Sequence, residues 1–242
     1  MKMVKIDYAA AQKRLVEILG LKYPPVAVTL IRRAEDIPQG VAELDKPMFY
    51  CGMIKYAMLG NVFYAREDKH SCRRGAAALG LVGMPRDELT GEFYLNKASC
   101  SSLRAAVRFI AELPSLEPRS VYATLLSPLE KTPVDPDVVI IETIGRRAFE
   151  VMHASIFDTG GRVESWMSAP RQLCSAATVR PYLGKLNITF ACEFARMAAK
   201  ALGSEYSDEG VIIGVPGETL TSIVENLPRI GYVKKRLETS KA

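Results

Sequence analysis

A weak internal repeat runs through the chain, and a repeat restricts a fold more than any single motif does, because both copies must adopt the same succession of elements. The first copy reads Cys51-Gly-Met-Ile-Lys-Tyr-Ala-Met-Leu59-Gly60, then Val62-Phe-Tyr-Ala65, then Cys72-Arg-Arg-Gly-Ala-Ala-Ala-Leu79-Gly80. The second reads Cys174-Ser-Ala-Ala-Thr-Val-Arg-Pro-Tyr-Leu183-Gly184, then Ile188-Thr-Phe-Ala191, then Cys192 through Leu202-Gly203. A Val-rich strand precedes the first cysteine of each copy. After the second come Asp87-Glu88 or Asp208-Glu209, a strand, a helix, and Leu113-Pro114 or Leu227-Pro228. The pattern predicts an α/β (or α+β) fold of two pseudo-symmetric βαβαβα halves, their sheets joined or packed face to face.

The remaining segments fit that frame. Apolar residues at Leu15, Ile18 and Leu19 among charges predict an opening amphipathic helix over 8–21, loosened at Gly20, and Val26 to Ile31 reads as a strand interior to a sheet. Phe93 to Leu95 reads as extended and Leu103 to Leu113 as a helix stopped by Pro114. In the second half, Val151 to Phe157 and Arg162 to Met167, separated by Asp158-Thr-Gly-Gly161, are expected to form an inserted β-hairpin. The Pro-rich stretch 128–136 is the best boundary, dividing the chain into 1–127 with the leading helix and 128–242, the two forming one unit.

With 242 residues, 48% of them hydrophobic, the chain can bury a core without disulfides or metals. Its N-terminus is charged and no apolar run reaches membrane-spanning length, so a cytoplasmic protein with no membrane partner is expected. The net charge of +5 is dispersed apart from Lys234-Lys235-Arg236, which argues against a nucleic-acid partner. Five cysteines in a reducing compartment are thiols, metal ligands or small buried hydrophobes rather than a disulfide framework.

Chemistry is concentrated in the repeat. Each copy places one cysteine near the start of each of two helices, where free N–H groups and the helix dipole favour thiolates, so Cys51, Cys72, Cys174 and Cys192 could together hold an iron-sulfur cluster. Packing is the opposing reading, since free cysteine is often buried and no Cys-x-x-Cys pair occurs. Cys100 has no counterpart in the second copy. Arg73 and Arg74 at the start of a helix suggest a site for a small carboxylate, sulfonate or phosphate. His70, two residues before Cys72, could activate that thiol as a nucleophile, whereas His153 reads as structural. No phosphate-binding glycine motif is present.

Tyr23-Pro-Pro-Val-Ala-Val, Phe49-Tyr-Cys51 running into a helix, the Cys72-x-x-Gly75 step with Leu79-Gly80-Leu81, and Ile212-Ile-Gly-Val-Pro216 before a helix resemble the DUF169 family of archaea and mainly anaerobic bacteria. The resemblance spans nearly the whole chain. It implies no particular activity, but an anaerobic setting suits oxygen-sensitive clusters. The leading expectation is therefore a cysteine-ligated metal protein, most plausibly iron-sulfur, with a redox, carrier or accessory role and a redox protein or small anion as partner. A homo-oligomer is compatible with this. The alternatives are a metal-free binder of a small anionic metabolite and an enzyme with Cys72 as nucleophile.

Overall fold

The computed structural model describes residues 6–167 and 169–240, so the first five residues of the charged N-terminus lie outside it. Six strands form one antiparallel sheet: β1 (Val26–Ile31), β2 (Phe63–Arg66), β3 (Ala123–Pro128), β4 (Val138–Ile144), β5 (Asn187–Thr189) and β6 (Gly210–Pro216), in the order β2-β3-β1-β4-β6-β5. An antiparallel sheet with helices on its faces places the protein in the α+β class.

That order reads the same from either edge when β1, β2 and β3 are exchanged for β4, β5 and β6. The registers follow suit. Val26 of β1 faces Pro128 of β3, and Val138 of β4 faces Pro216 of β6. Just beyond, Leu129 N–H donates to Pro25 O and Gly217 N–H to Asp137 O, both at 2.8 Å. β1 and β4 meet at the centre, with Ala27 opposite Val139.

Because strand side chains alternate between faces, a central strand covered on both sides is apolar on both, and β1 and β4 are so apart from Thr29, Glu142 and Thr143. Val26, Val28 and Ile140 point to one side, where α2 (Tyr50–Met58), α3 (Arg73–Ala78), the π-helical run Gln172–Val179 and α9 (Glu193–Lys200) pack. Ala27, Val139 and Ile141 point to the other, against α1 (Tyr8–Leu19), α7 (Gly145–Ser155), α10 (Leu220–Asn226) and α11 (Gly231–Thr239). Three short helices, α4 (Arg86–Leu89), α5 (Glu92–Asn96) and α6 (Leu103–Ala111), join α3 to β3, and a single turn, α8 (Arg180–Tyr182), continues the π-helical run. Among the described residues no helix is long and apolar enough to cross a membrane.

Three expectations are corrected. Phe93–Leu95 is not extended but lies in α5, where Tyr94 alone is buried and turns inward, to Glu88 and against Phe109. The third strand of the first half is instead β3, so Asp87-Glu88, in α4, has no structural equivalence to Asp208-Glu209, in the turn before β6. The inserted hairpin does not form. Val151–Phe157 continues α7, whose buried Ala148, Val151 and Ala154 recur at helical spacing. Arg162–Met167 is irregular and is held by Asn187, which accepts from Trp166 N–H at 2.7 Å and donates to Trp166 O at 2.9 Å.

Candidate functional site

The four repeat cysteines arrive from four helices on one face of the sheet. Cys51 lies in the first turn of α2 and Cys174 in the first turn of the π-helical run, while Cys72 and Cys192 are the residues that cap α3 and α9. α2 and α9 can approach closely because Gly52 has no side chain: a Cβ there would sit 3.3 Å from that of Ala198. All four cysteines line one cavity of about 250 Å³ whose walls are mostly apolar. Cys174 is buried and the other three are partly exposed. Phe49, Phe93 and Phe194 also line the cavity.

The sulfurs share an electrostatic neighbourhood. Burial raises the Cys51 thiol well above the ordinary range, and the charges of Cys192, Cys174 and Cys72 push it further. Cys174 is pushed up to about 11, chiefly by burial and against the pull of Arg171. The Cys72 sulfur accepts from Gly75 N–H at 3.3 Å, the cap expected of a thiol at a helix start, and the Cys51 thiol faces Phe194 O at 3.7 Å. Among the described residues no three His, Cys, Asp or Glu side chains are grouped tightly enough to hold a single metal ion. Soft thiol donors from four helices around an apolar cavity nevertheless match the donor set of an iron-sulfur cluster, which spreads its thiolates around a body larger than one ion.

Arg73 and Arg74 also line this cavity, but they are not equivalent. Arg73 is exposed at the rim. Arg74 pairs with Asp87 and lies over the Phe93 ring, 3.3 Å from its centroid, so its charge is already engaged.

A third arginine, not anticipated from the sequence, lies deeper. Arg171 adopts a left-handed backbone conformation with φ of 68° immediately before the π-helical run, and its side chain is buried. Its guanidinium donates to Glu88, to the Tyr94 hydroxyl and to the Arg74 carbonyl. Tyr94 in turn donates to Glu88 at 2.7 Å, while the second carboxylate oxygen of Glu88 is buried without a partner among the described residues. The available signal is weak: a single arginine in a Pro-Arg-Gln stretch three residues before Cys174.

The histidines stand apart. His70 does not line the cavity. Its ring is buried, stacks on Tyr50 at a centroid distance of 6.1 Å and meets the Thr124 hydroxyl at 3.2 Å, and burial lowers its pKa to about 4. No histidine is therefore presented to Cys72 within the cavity. His153 lies on α7 and contacts Tyr232 OH at 3.1 Å. Cys100 is not among the cavity residues.

Fold and site together define an α+β protein with a four-cysteine cavity on one face of a continuous antiparallel sheet. The chain belongs to the DUF169 family, described as "Uncharacterised ArCR", whose model matches residues 14–226. It is 33% identical over 224 residues to the uncharacterized protein MJ0308 of Methanocaldococcus jannaschii, covering 91% of this chain and 94% of that relative. No solved structure matches it.

Proposed function

We propose that the cavity binds an iron-sulfur cluster through Cys51, Cys72, Cys174 and Cys192, and that the protein has a redox, carrier or accessory role. One observation carries this reading: four cysteines far apart in sequence line the same cavity. Packing alone gives cysteines from four helices no reason to meet. A bound cluster would supply one-electron chemistry.

The chain's own residues would set the environment. Burial makes the Cys51 and Cys174 thiols resist ionisation, so their thiolates would need a cationic centre to compensate them. Arg171 adds positive potential beside Cys174 and is held rigidly by Glu88 and Tyr94. Phe49, Phe93 and Phe194 add apolar surface to the lining around the sulfurs.

The test is anaerobic purification followed by an absorption spectrum and assays for iron and acid-labile sulfide. Stoichiometric iron and sulfide that fall in each Cys→Ser variant are expected. A parent protein that takes up neither under reconstitution would end the reading. The anion-binding alternative would then use Arg73, the cation of this cavity left exposed.

A further inference from the structure

A second cavity lies at the opposite end of the helix that carries Cys174. It has a volume of about 410 Å³, sits beyond the C-terminal end of β6, and is lined by polar groups of α7, of the irregular segment 162–164 and of the 180–186 turn. Three cations line it: Arg162, Arg180 and Lys185. Among the described residues none of the three has an ion pair or a side-chain hydrogen bond, which sets them apart from Arg74, Arg171 and Arg196, all paired. Arg180 is the most telling, because its Nε is fully buried with no partner among the described residues. Leaving a guanidinium N–H unsatisfied away from water is costly, and a polar cavity at its side is where a missing acceptor would sit.

We propose that this cavity is a binding site for a small phosphate-bearing metabolite, held by Arg180 with Arg162 and Lys185 at the mouth. Three cations against the one lining carboxylate, Glu164, leave a local charge of +2, which matches the roughly −1.5 to −2 of a phosphate monoester at pH 7. The planar donor fork of Arg180 suits phosphate oxygens. Ser155 and Thr219 also line the cavity but already donate to Met152 O and Pro216 O, so they can only accept, as the hydroxyls of a sugar ester would require. The volume falls in the range typical of small-ligand sites. The inference is independent of the cysteine cavity.

Calorimetric titration of the full chain with inorganic pyrophosphate and with ribose 5-phosphate tests it. Both should bind, more weakly as salt rises, and Arg180→Gln should weaken binding by about tenfold or more, the loss of one charge-assisted contact. Arg162→Gln combined with Lys185→Gln alters only exposed side chains and should do the same if Arg180→Gln fails to fold. Absence of binding by the parent protein, or affinity unchanged in the foldable variants, overturns the proposal. Binding to phosphatidic acid vesicles without competition by ribose 5-phosphate would also overturn it, by assigning the cations to a lipid surface.

Discussion

At the scale of single residues, the buried trio of Arg171, Glu88 and Tyr94 is where one atom changes most. Removing one partner of a buried ion pair leaves the other charge uncompensated, typically at about 3 to 5 kcal/mol. Glu88→Gln should therefore lower the unfolding free energy by about 3 kcal/mol in urea denaturation, and a loss below about 1 kcal/mol would mean that water reaches Arg171. Asp137 offers a test of opposite sign. Its carboxylate accepts from Leu30 N–H at 2.7 Å across the central strand pair, yet burial raises its pKa. A carboxyl whose folded pKa is raised favours folding while protonated, and that contribution is lost as pH climbs through the folded value. Asp137→Asn retains the acceptor without the charge, so the variant should be more stable than the parent at pH 7. The advantage should shrink as pH falls below the ordinary carboxylate value of 3.8, where the parent carboxyl takes up its proton, and paired denaturation curves at pH 7 and below that value would show it. Glu88 was legible only as half of the Asp87-Glu88 pair, and Asp137 and Arg171 not at all as buried groups, because a buried role for a Glu, Asp or Arg depends on long-range neighbours that spacing does not encode.

At the scale of elements, the π-helical run positions Cys174 and is fitted to the sheet by an absent side chain. Gly214 of β6 lies against it so closely that an added Cβ would overlap the Ala177 carbonyl oxygen and crowd Pro181. Backbone cannot yield as a flexible side chain can, so Gly214→Ala should destabilise the protein by about 3 kcal/mol or more, at the upper end for overpacking. It should also reduce iron uptake, because the helix that bears Cys174 must move. A variant with parent-like melting and iron content would show that the run shifts freely. The strands and long helices near these sites were legible in the sequence wherever periodicity ran far enough. The opening helix, β1, β4 and the helix after Cys192 all fall where apolar spacing puts them. Failures arose where windows were short. Phe93–Leu95 offered three apolar-flavoured residues and no period, and α5 is a single turn fixed by what Tyr94 reaches. Reading α7 from Val151 alone discarded Ala148, the residue that reveals the helical spacing. The π-helical hydrogen bonding of Gln172–Val179 has no local signature beyond Thr178, whose hydroxyl bonds the Leu173 carbonyl five residues back.

At the scale of the whole molecule, the cysteines were singled out because a repeat paired them, and the cavity makes that pairing mechanically meaningful. Each half contributes one cysteine from within a first turn and one from a helix cap, and the central pair of β1 and β4 joins the halves. If a two-fold axis passes between those strands, the helices on one face are brought round it, and four cysteines line one cavity without any Cys-x-x-Cys motif. The equivalence of β3 with β6, rather than of 93–95 with β6, is what the strand order requires. An experimental structure should therefore superpose β1, α2, β2, α3 and β3 on β4, the π-helical run, β5, α9 and β6, with Cys51 over Cys174 and Cys72 over Cys192. The segment 81–120, which contains α4 to α6, should remain outside the superposition because the second half has only residues 201–209 between α9 and β6. A fit in which the strands overlay but the cysteine pairs do not would leave the sheet two-fold and deny it to the site. The four thiols would then have come together by separate substitutions on a symmetric scaffold rather than by duplication of one cysteine-bearing unit.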